Sequence, residues 1–256
     1  MRSEFEPLLD KTRPLLLRTL HLPPTLQVVV LAPHPDDFDA IGITMRTLRD
    51  NGNPIDVAVL TSGASGVDDD FAPRLTVQGK AALREQEQGA SCQFFGLPPE
   101  RLTFLRLAED AEGHLEVSEQ NLARLRTYWD AHLPDLLFLP HGNDTNAGHQ
   151  RTYRLFRQLM DTEPRSMVAL LNRDPKTIEM RQDMYTVFGE TEAMWKGALL
   201  RFHRTQQERN LRTRQHGIDE RILRVNRQVG RGLGRGAEYA EVFELEWYAG
   251  VKASDI

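Results

Sequence analysis

Apolar residues fall along this chain in two rhythms. Short unbroken runs rich in branched residues stand at "TLQVVVLAP", "PIDVAVLTSG", "DLLFLP" and "SMVALLN", with a briefer one at "RLTFLRL". A run without apolar–polar alternation predicts a strand covered on both faces, as in a parallel sheet. Between these runs, apolar positions recur at helical spacing in "DAIGITMRTLRDNG", "VQGKAALREQEQGASCQFFG", "SEQNLARLRTYWDAH" and "HQRTYRLFRQLMD". Gly52 reads as a helix stop and Ser118 as an N-cap. Strand, helix, strand at this spacing is a βαβ unit, and its repetition predicts a parallel sheet between helices. Residues 1–22 read as an amphipathic helix leading to "HLPP". Residues 190–228 are helix-rich, "GRGLGRG" reads as a flexible break, and "AEYAEVFELEWY" has strand character. There is no internal repeat and no long linker. The expectation is one α/β domain over residues 1–256, a Rossmann-like three-layer fold with a mainly parallel sheet and a helix-rich C-terminal part.

Composition narrows the class. The chain has 256 residues, 40% hydrophobic and 27% charged, ordinary for a globular domain with a sizeable core. Its net charge of −5 gives no general attraction for nucleic acid or an anionic membrane. The C-terminal part is nevertheless locally basic, from Arg201 to Arg235. That reads as a solvated helical face, or as a rim attracting an anionic substrate. A single cysteine, Cys92, excludes an intrachain disulfide and a cysteine-rich metal site. The first residues hold no apolar stretch of about 20, the length a membrane span needs, and no secretory cleavage pattern. A cytoplasmic protein is expected, as a monomer or a homo-oligomer.

Where the strands end, the chemistry changes. "VVVLAP" gives way to "HPDDFD", and "LLFLP" to "HGNDTNAGH". No Gly-x-Gly-x-x-Gly follows the first buried strand, which argues against a dinucleotide cofactor. In open parallel sheets, ligands bind beyond the carboxyl ends of the strands. Two strand ends therefore bring His34, Asp36 and Asp37 to one edge together with His141, Asp144, Asn146 and His149. Two histidines and a carboxylate with open positions suit catalytic zinc or another divalent metal.

These residues carry a family resemblance. "APHPDD" resembles the signature of the LmbE/PIG-L-like deacetylases, metal-dependent hydrolases that remove acyl groups from N-acylated amino sugars. "LTSGASG", "LREQE", "NAGHQRTY", "KGALLRFHRTQ" and "YAEVFEL" resemble further segments of that family. The resemblance implies that His34, Asp37 and His149 bind the metal, expected to be Zn2+. It implies that Asp36 is the general base that deprotonates a metal-activated water. It implies Arg84 as a substrate contact; Asp144 is a second candidate. The substrate would be a small amino-sugar conjugate. The chain departs from the pattern twice. Phe38 stands where an acid usually follows the two aspartates, with Asp39 one step later. Asn146 replaces the first histidine of His-x-x-His. That histidine helps polarise the carbonyl oxygen; Asn146 itself, His141 or Asp144 is expected to take over.

Other residues have a plain reading beside a functional one. Arg84 and Glu87 suit a surface ion pair at i, i+3. His203 and Gln206 suit a helix surface, packing or a site. Ser62 lacks the nucleophile elbow and is expected to line its loop. Asp68, Asp69 and Asp70 lack calcium-loop spacing and read as a solvated loop. Trp129, Trp195 and Trp247 read as packing residues, with Trp195 a possible stacking platform for a sugar. Loops near 63–77, 108–117 and 173–191 would set selectivity. The rival readings are a metal-dependent amidase for a non-sugar acyl conjugate and a non-catalytic carbohydrate-binding member of the same fold.

Overall fold

The structure, a computed structural model, describes residues 3–9, 13–71, 75–234 and 236–251. Among these residues, eight strands form one sheet: β1 (Leu15–Leu16), β2 (Val28–Ala32), β3 (Ile55–Val59), β4 (Leu102–Phe104), β5 (Leu136–Pro140), β6 (Met167–Asn172), β7 (Met184–Phe188) and β8 (Tyr239–Tyr248). Their spatial order is β1-β7-β8-β6-β5-β2-β3-β4. Among these described strands only β8 runs antiparallel to its neighbours, β6 and β7; the other pairs are parallel.

The helices are α1 (Glu6–Leu9), α2 (Gly42–Asp50), α3 (Val77–Phe95), α4 (Glu119–His132), α5 (Ala147–Met160), α6 (Glu190–Leu200), α7 (Arg204–Arg214) and α8 (Ile218–Leu233). Alternate residues of a strand point to opposite faces, so each buried strand feeds two cores. Val28 and Val30 join Met45 and Leu48 of α2 and Phe95 of α3. Val29 and Leu31 join Trp129 of α4 and Phe156 of α5 on the other face. This is the expected three-layer α/β arrangement. Ser118 caps α4 as expected, its Oγ accepting the Asn121 N–H at 3.3 Å. Among the described residues no helix is long and apolar enough to cross a membrane.

Four expectations are corrected. Residues 1–22 do not form one helix: among the described residues α1 covers Glu6–Leu9, and Leu15–Leu16 add a parallel edge strand beside Met184 and Tyr185. Pro14, with no N–H, cannot continue a helical ladder, and the leucines after it pair with the sheet instead. "GRGLGRG" is not simply a break, because α8 continues through Gly230 and Gly232 to Leu233. A Cβ on Gly230 would stand 2.8 Å from the backbone of Tyr239, so glycine lets α8 lie directly on β8. Residues 184–188, expected within a loop, form β7. Trp195 is no open platform; it packs beside Phe95 under the Arg46 guanidinium.

Candidate metal centre

The strand order reverses direction at β2. The chain places β3 and β4 to one side of it and then returns to lay β5 on the other. Such a switch point opens a crevice beyond the strand ends. The loop after β2 carries His34, Asp36 and Asp37 to it, and α5, which follows β5, starts there with Asn146 as its N-cap.

Asp37 lies between two imidazoles. Its Oδ2 accepts the backbone N–H of His34 at 2.9 Å and stands 3.2 Å from His34 Nδ1. Its Oδ1 stands 3.3 Å from His149 Nε2. Ligand atoms about 2.0–2.1 Å from a tetrahedral ion stand about 3.4 Å apart, so these separations suit a shared zinc. Ligand atoms of His34, Asp37 and His149 all lie within 4.8 Å of one another. The rings are brought together by Gly148: a Cβ there would meet the His34 ring at 2.6 Å.

His149 is buried and held from behind. Its Nδ1 lies 3.3 Å from Asp144 Oδ2 and 4.0 Å from Asp174 Oδ1. Burial alone would depress its pKa, but Asp37, Asp144 and Asp174 together hold it well above the ordinary imidazole value. Burial works the other way on Asp37, yet His149 and His34 hold its carboxyl well below the usual range. Three carboxylates around one imidazole thus favour a positive charge here, and a divalent ion can replace that proton. The donor set fits such an ion.

Asp36 is placed by a different set of contacts. Its φ of 110° turns the backbone so that neighbouring carboxylates diverge. The Asp36 N–H donates to Gln88 Oε1 at 2.9 Å, and Arg84 Nη2 lies 3.3 Å from Asp36 Oδ1. Arg84 Nη2 also donates to the Pro35 carbonyl. Burial raises the Asp36 pKa, with Arg84 opposing. Arg84 is only 2% exposed. It does not pair with Glu87; that carboxylate accepts the Thr205 N–H at 2.8 Å and its hydroxyl at 2.6 Å. The surface ion pair expected of these two residues is therefore replaced by two buried ties from α3, Glu87 to α7 and Arg84 to the site loop.

The remaining expected residues part company. Asn146 lines the cleft with His34, Asp36 and Gln206. Its Oδ1 accepts the Gly148 N–H at 3.0 Å, leaving the amide donor for a ligand. His141 is turned elsewhere: its Nε2 lies 3.2 Å from Glu244 Oε2 on β8, and its Nδ1 accepts the Asn143 N–H at 3.0 Å. Asp144 has no exposed surface; it accepts the Asn146 N–H at 2.6 Å and the Thr177 hydroxyl at 3.1 Å, behind His149. His203 is not on a helix surface either. It is buried, with Nε2 against Asp39 Oδ2, while Ser91 donates to the same oxygen at 2.9 Å. Gln206 donates to the Gly66 carbonyl at 2.8 Å. Ser62 Oγ donates to Glu109 at 2.7 Å and accepts the Ala64 N–H at 3.2 Å, holding its own loop. Asp174 and Lys176, which follow β6, line the cleft and were not singled out from sequence. The strand-end rule that found the other residues applies equally to "LLNRDPK".

The pattern of one family, PIG-L, described as GlcNAc-PI de-N-acetylase, matches residues 29–160, just over half the chain. The chain belongs to the PIG-L family. The match spans both site loops. A comparison with curated protein sequences gave no match. Among solved structures, the chain is similar to an N,N'-diacetylchitobiose deacetylase from Pyrococcus horikoshii bound to its inhibitor, with 19% identity, 86% of this chain and 83% of that one covered, and a TM-score of 0.71. It is similar to the 4-carboxy-2-hydroxymuconate hydratase GalB from Pseudomonas putida, with 17% identity, coverage of 89% and 99%, and a TM-score of 0.68. It is also similar to a zinc-inhibited form of teicoplanin deacetylase, with 13% identity, coverage of 86% and 98%, and a TM-score of 0.64. At these identities the likenesses show the PIG-L fold.

Proposed function

We propose that this PIG-L protein is a divalent-metal, most simply zinc, N-deacetylase acting on an amino-sugar conjugate. The observation that carries the reading is the convergence of His34, Asp37 and His149, with Asp36 beside them at the switch point. The deacetylases among the structural neighbours support it. The hydratase neighbour makes turnover, and not the fold, the deciding evidence.

His34, Asp37 and His149 would hold the metal. A bound divalent ion would lower the pKa of water and polarise a carbonyl. Asp36 takes a proton from the attacking water, and burial, by raising its pKa, makes it a stronger base than an exposed carboxylate. Arg84 keeps that carboxylate aimed. The Asn146 amide donates to the acyl oxygen as negative charge gathers there. The new C–O bond forms, the C–N bond breaks, and the proton on Asp36 passes to the leaving amine. The products are acetate and the free amino sugar. Asp144 we assign to positioning His149 instead of binding substrate, and His141 to packing against Glu244.

Acetate release from N-acetylglucosamine conjugates tests the reading, with zinc-loaded wild type beside Asp36→Ala and His149→Ala. Wild type should turn over. Asp36→Ala should keep stoichiometric zinc and lose about 10²–10⁴ in kcat, the contribution of a general base. His149→Ala should lose the zinc itself. Stoichiometric metal without acetate from any acylated sugar would overturn the substrate and favour another amide.

A further inference from the structure

Ten arginines stand between residues 201 and 235, and the fold sorts the nine that are described. Arg201 pairs with Asp219 at 2.7 Å, Arg224 with Glu220 at 3.5 Å and Arg227 with Glu190 at 3.8 Å. Arg209 and Arg212 hold the acidic loop through Asp68 and Asp70. Arg204 and Arg231 are exposed, and Arg214 bonds along its own helix. Arg221 differs from all of them. It is half-buried, has no ion-pair partner among the described residues, and lines the cleft beside Asp36, Asp37 and His149.

Lys176 reaches the same cleft from the loop after β6, and it too is half-buried with no ion-pair partner among the described residues. Its backbone is fixed on both sides: its N–H donates to Asp174 Oδ1 at 2.9 Å, and its carbonyl accepts the Thr145 N–H at 3.1 Å. The three carboxylates that line the cleft are engaged otherwise: Asp174 accepts the Lys176 N–H and lies 4.0 Å from His149 Nδ1. Asp36 faces Arg84, and Asp37 faces two imidazoles. The same cleft is lined in part by the apolar side chains of Leu200, Ile218 and Ile222. A half-desolvated cation without a partner is costly, and an oxyanion against such a lining is held more strongly than in open water.

From this placement we propose that the substrate carries an anionic group, a phosphate or a carboxylate, and that Lys176 and Arg221 receive it. The inference rests on the deacetylase reading for what else the substrate contains, and it commits to charge on the sugar or its aglycone. In the basic C-terminal stretch, five of the nine described arginines pair with carboxylates, and Arg221 is the one assigned to the ligand.

Calorimetry on the zinc-loaded protein in an Asp36→Asn background, where turnover does not interfere, tests this. The probes are N-acetylglucosamine 1-phosphate, N-acetylglucosamine 6-phosphate and N-acetylmuramic acid, beside uncharged methyl N-acetylglucosaminide. At least one anionic probe should bind about tenfold or more tighter than the uncharged glycoside, the scale of a charge-assisted contact. Whether the preferred probe is a phosphate or the carboxylate identifies the group. Lys176→Gln and Arg221→Gln should each remove most of that preference and leave the uncharged glycoside within about twofold, with Lys176→Arg restoring part of it. Equal or absent binding of all anionic probes, or a preference both glutamine variants keep, overturns the proposal. Acetate release by wild type is read separately. Acetate without an anionic preference sinks this inference alone, and an anionic preference without acetate sinks the deacetylase reading alone.

Discussion

Asp36 holds φ at +110°, a conformation that costs most L residues energy and that clusters at functional sites. Gln88 and Arg84 secure it from α3. The strain has a use: it separates two adjacent carboxylates, one toward the imidazoles and one toward Arg84. "HPDD" was legible because its residues are contiguous at a strand end. The supports behind them were not, because each comes from elsewhere in the chain. Asp144 is the clearest case, offered by sequence as a substrate contact and placed behind His149. Its carboxylate fixes the ring with Nε2 toward Asp37, and orienting partners of this kind are worth about 10–100-fold in metal affinity. Asp144→Ala is therefore expected to weaken zinc binding by that factor while the protein stays folded. Competition against a chelating dye measures the affinity, and an unchanged value would show that Asp144 does not orient His149.

Between residues and fold lie the joints of the elements. The first turn of α2 has no capping side chain of its own. Glu241 of β8 supplies the cap, accepting the Ile43 N–H at 3.0 Å and the Thr44 N–H at 2.7 Å, with buried Lys196 at 2.6 Å as its counter-charge. Almost two hundred residues separate donor and acceptor, so no local pattern announces the contact. The same limit hid β7, whose short run is recognisable as a strand only once β8 lies beside it. Gly230 and Gly232 looked alike in sequence and differ in their surroundings. A Cβ on Gly230 meets the Tyr239 backbone at 2.8 Å, which cannot move aside cheaply, whereas nothing lies within 4 Å of one on Gly232. Gly230→Ala should lose about 1–3 kcal/mol, the cost of overpacking. Gly232→Ala, in the last turn of α8, should gain less than the roughly 0.5–1 kcal/mol of a mid-helix glycine. Urea midpoints of the two variants settle it, since a gain in Gly230→Ala would mean that α8 does not lie against β8 as described.

At the scale of the molecule, the site exists because the chain reverses its direction of sheet building at β2. His34 and Asp37 follow one strand, His149 follows its spatial neighbour, and roughly a hundred residues of β3, α3, β4 and α4 intervene. The βαβ rhythm made the parallel sheet legible from sequence, and the strand-end rule placed the cluster, but only the strand order makes β2 and β5 adjacent. An unfolded chain cannot hold such a set, so any ion bound there acts on the folded state alone. At free zinc of about 100 times Kd the gain is about 2.7 kcal/mol. For a chain of this size each kcal/mol moves Tm by roughly 2–4 °C, so zinc should raise the melting point by roughly 5–10 °C and a chelator should reverse it. Asp36→Ala should keep that shift, because Asp36 is not one of the three converging groups; His149→Ala should abolish it. A shift of equal size in His149→Ala would place the ion elsewhere on the protein, and no shift in wild type would mean that the three groups converge without holding a metal.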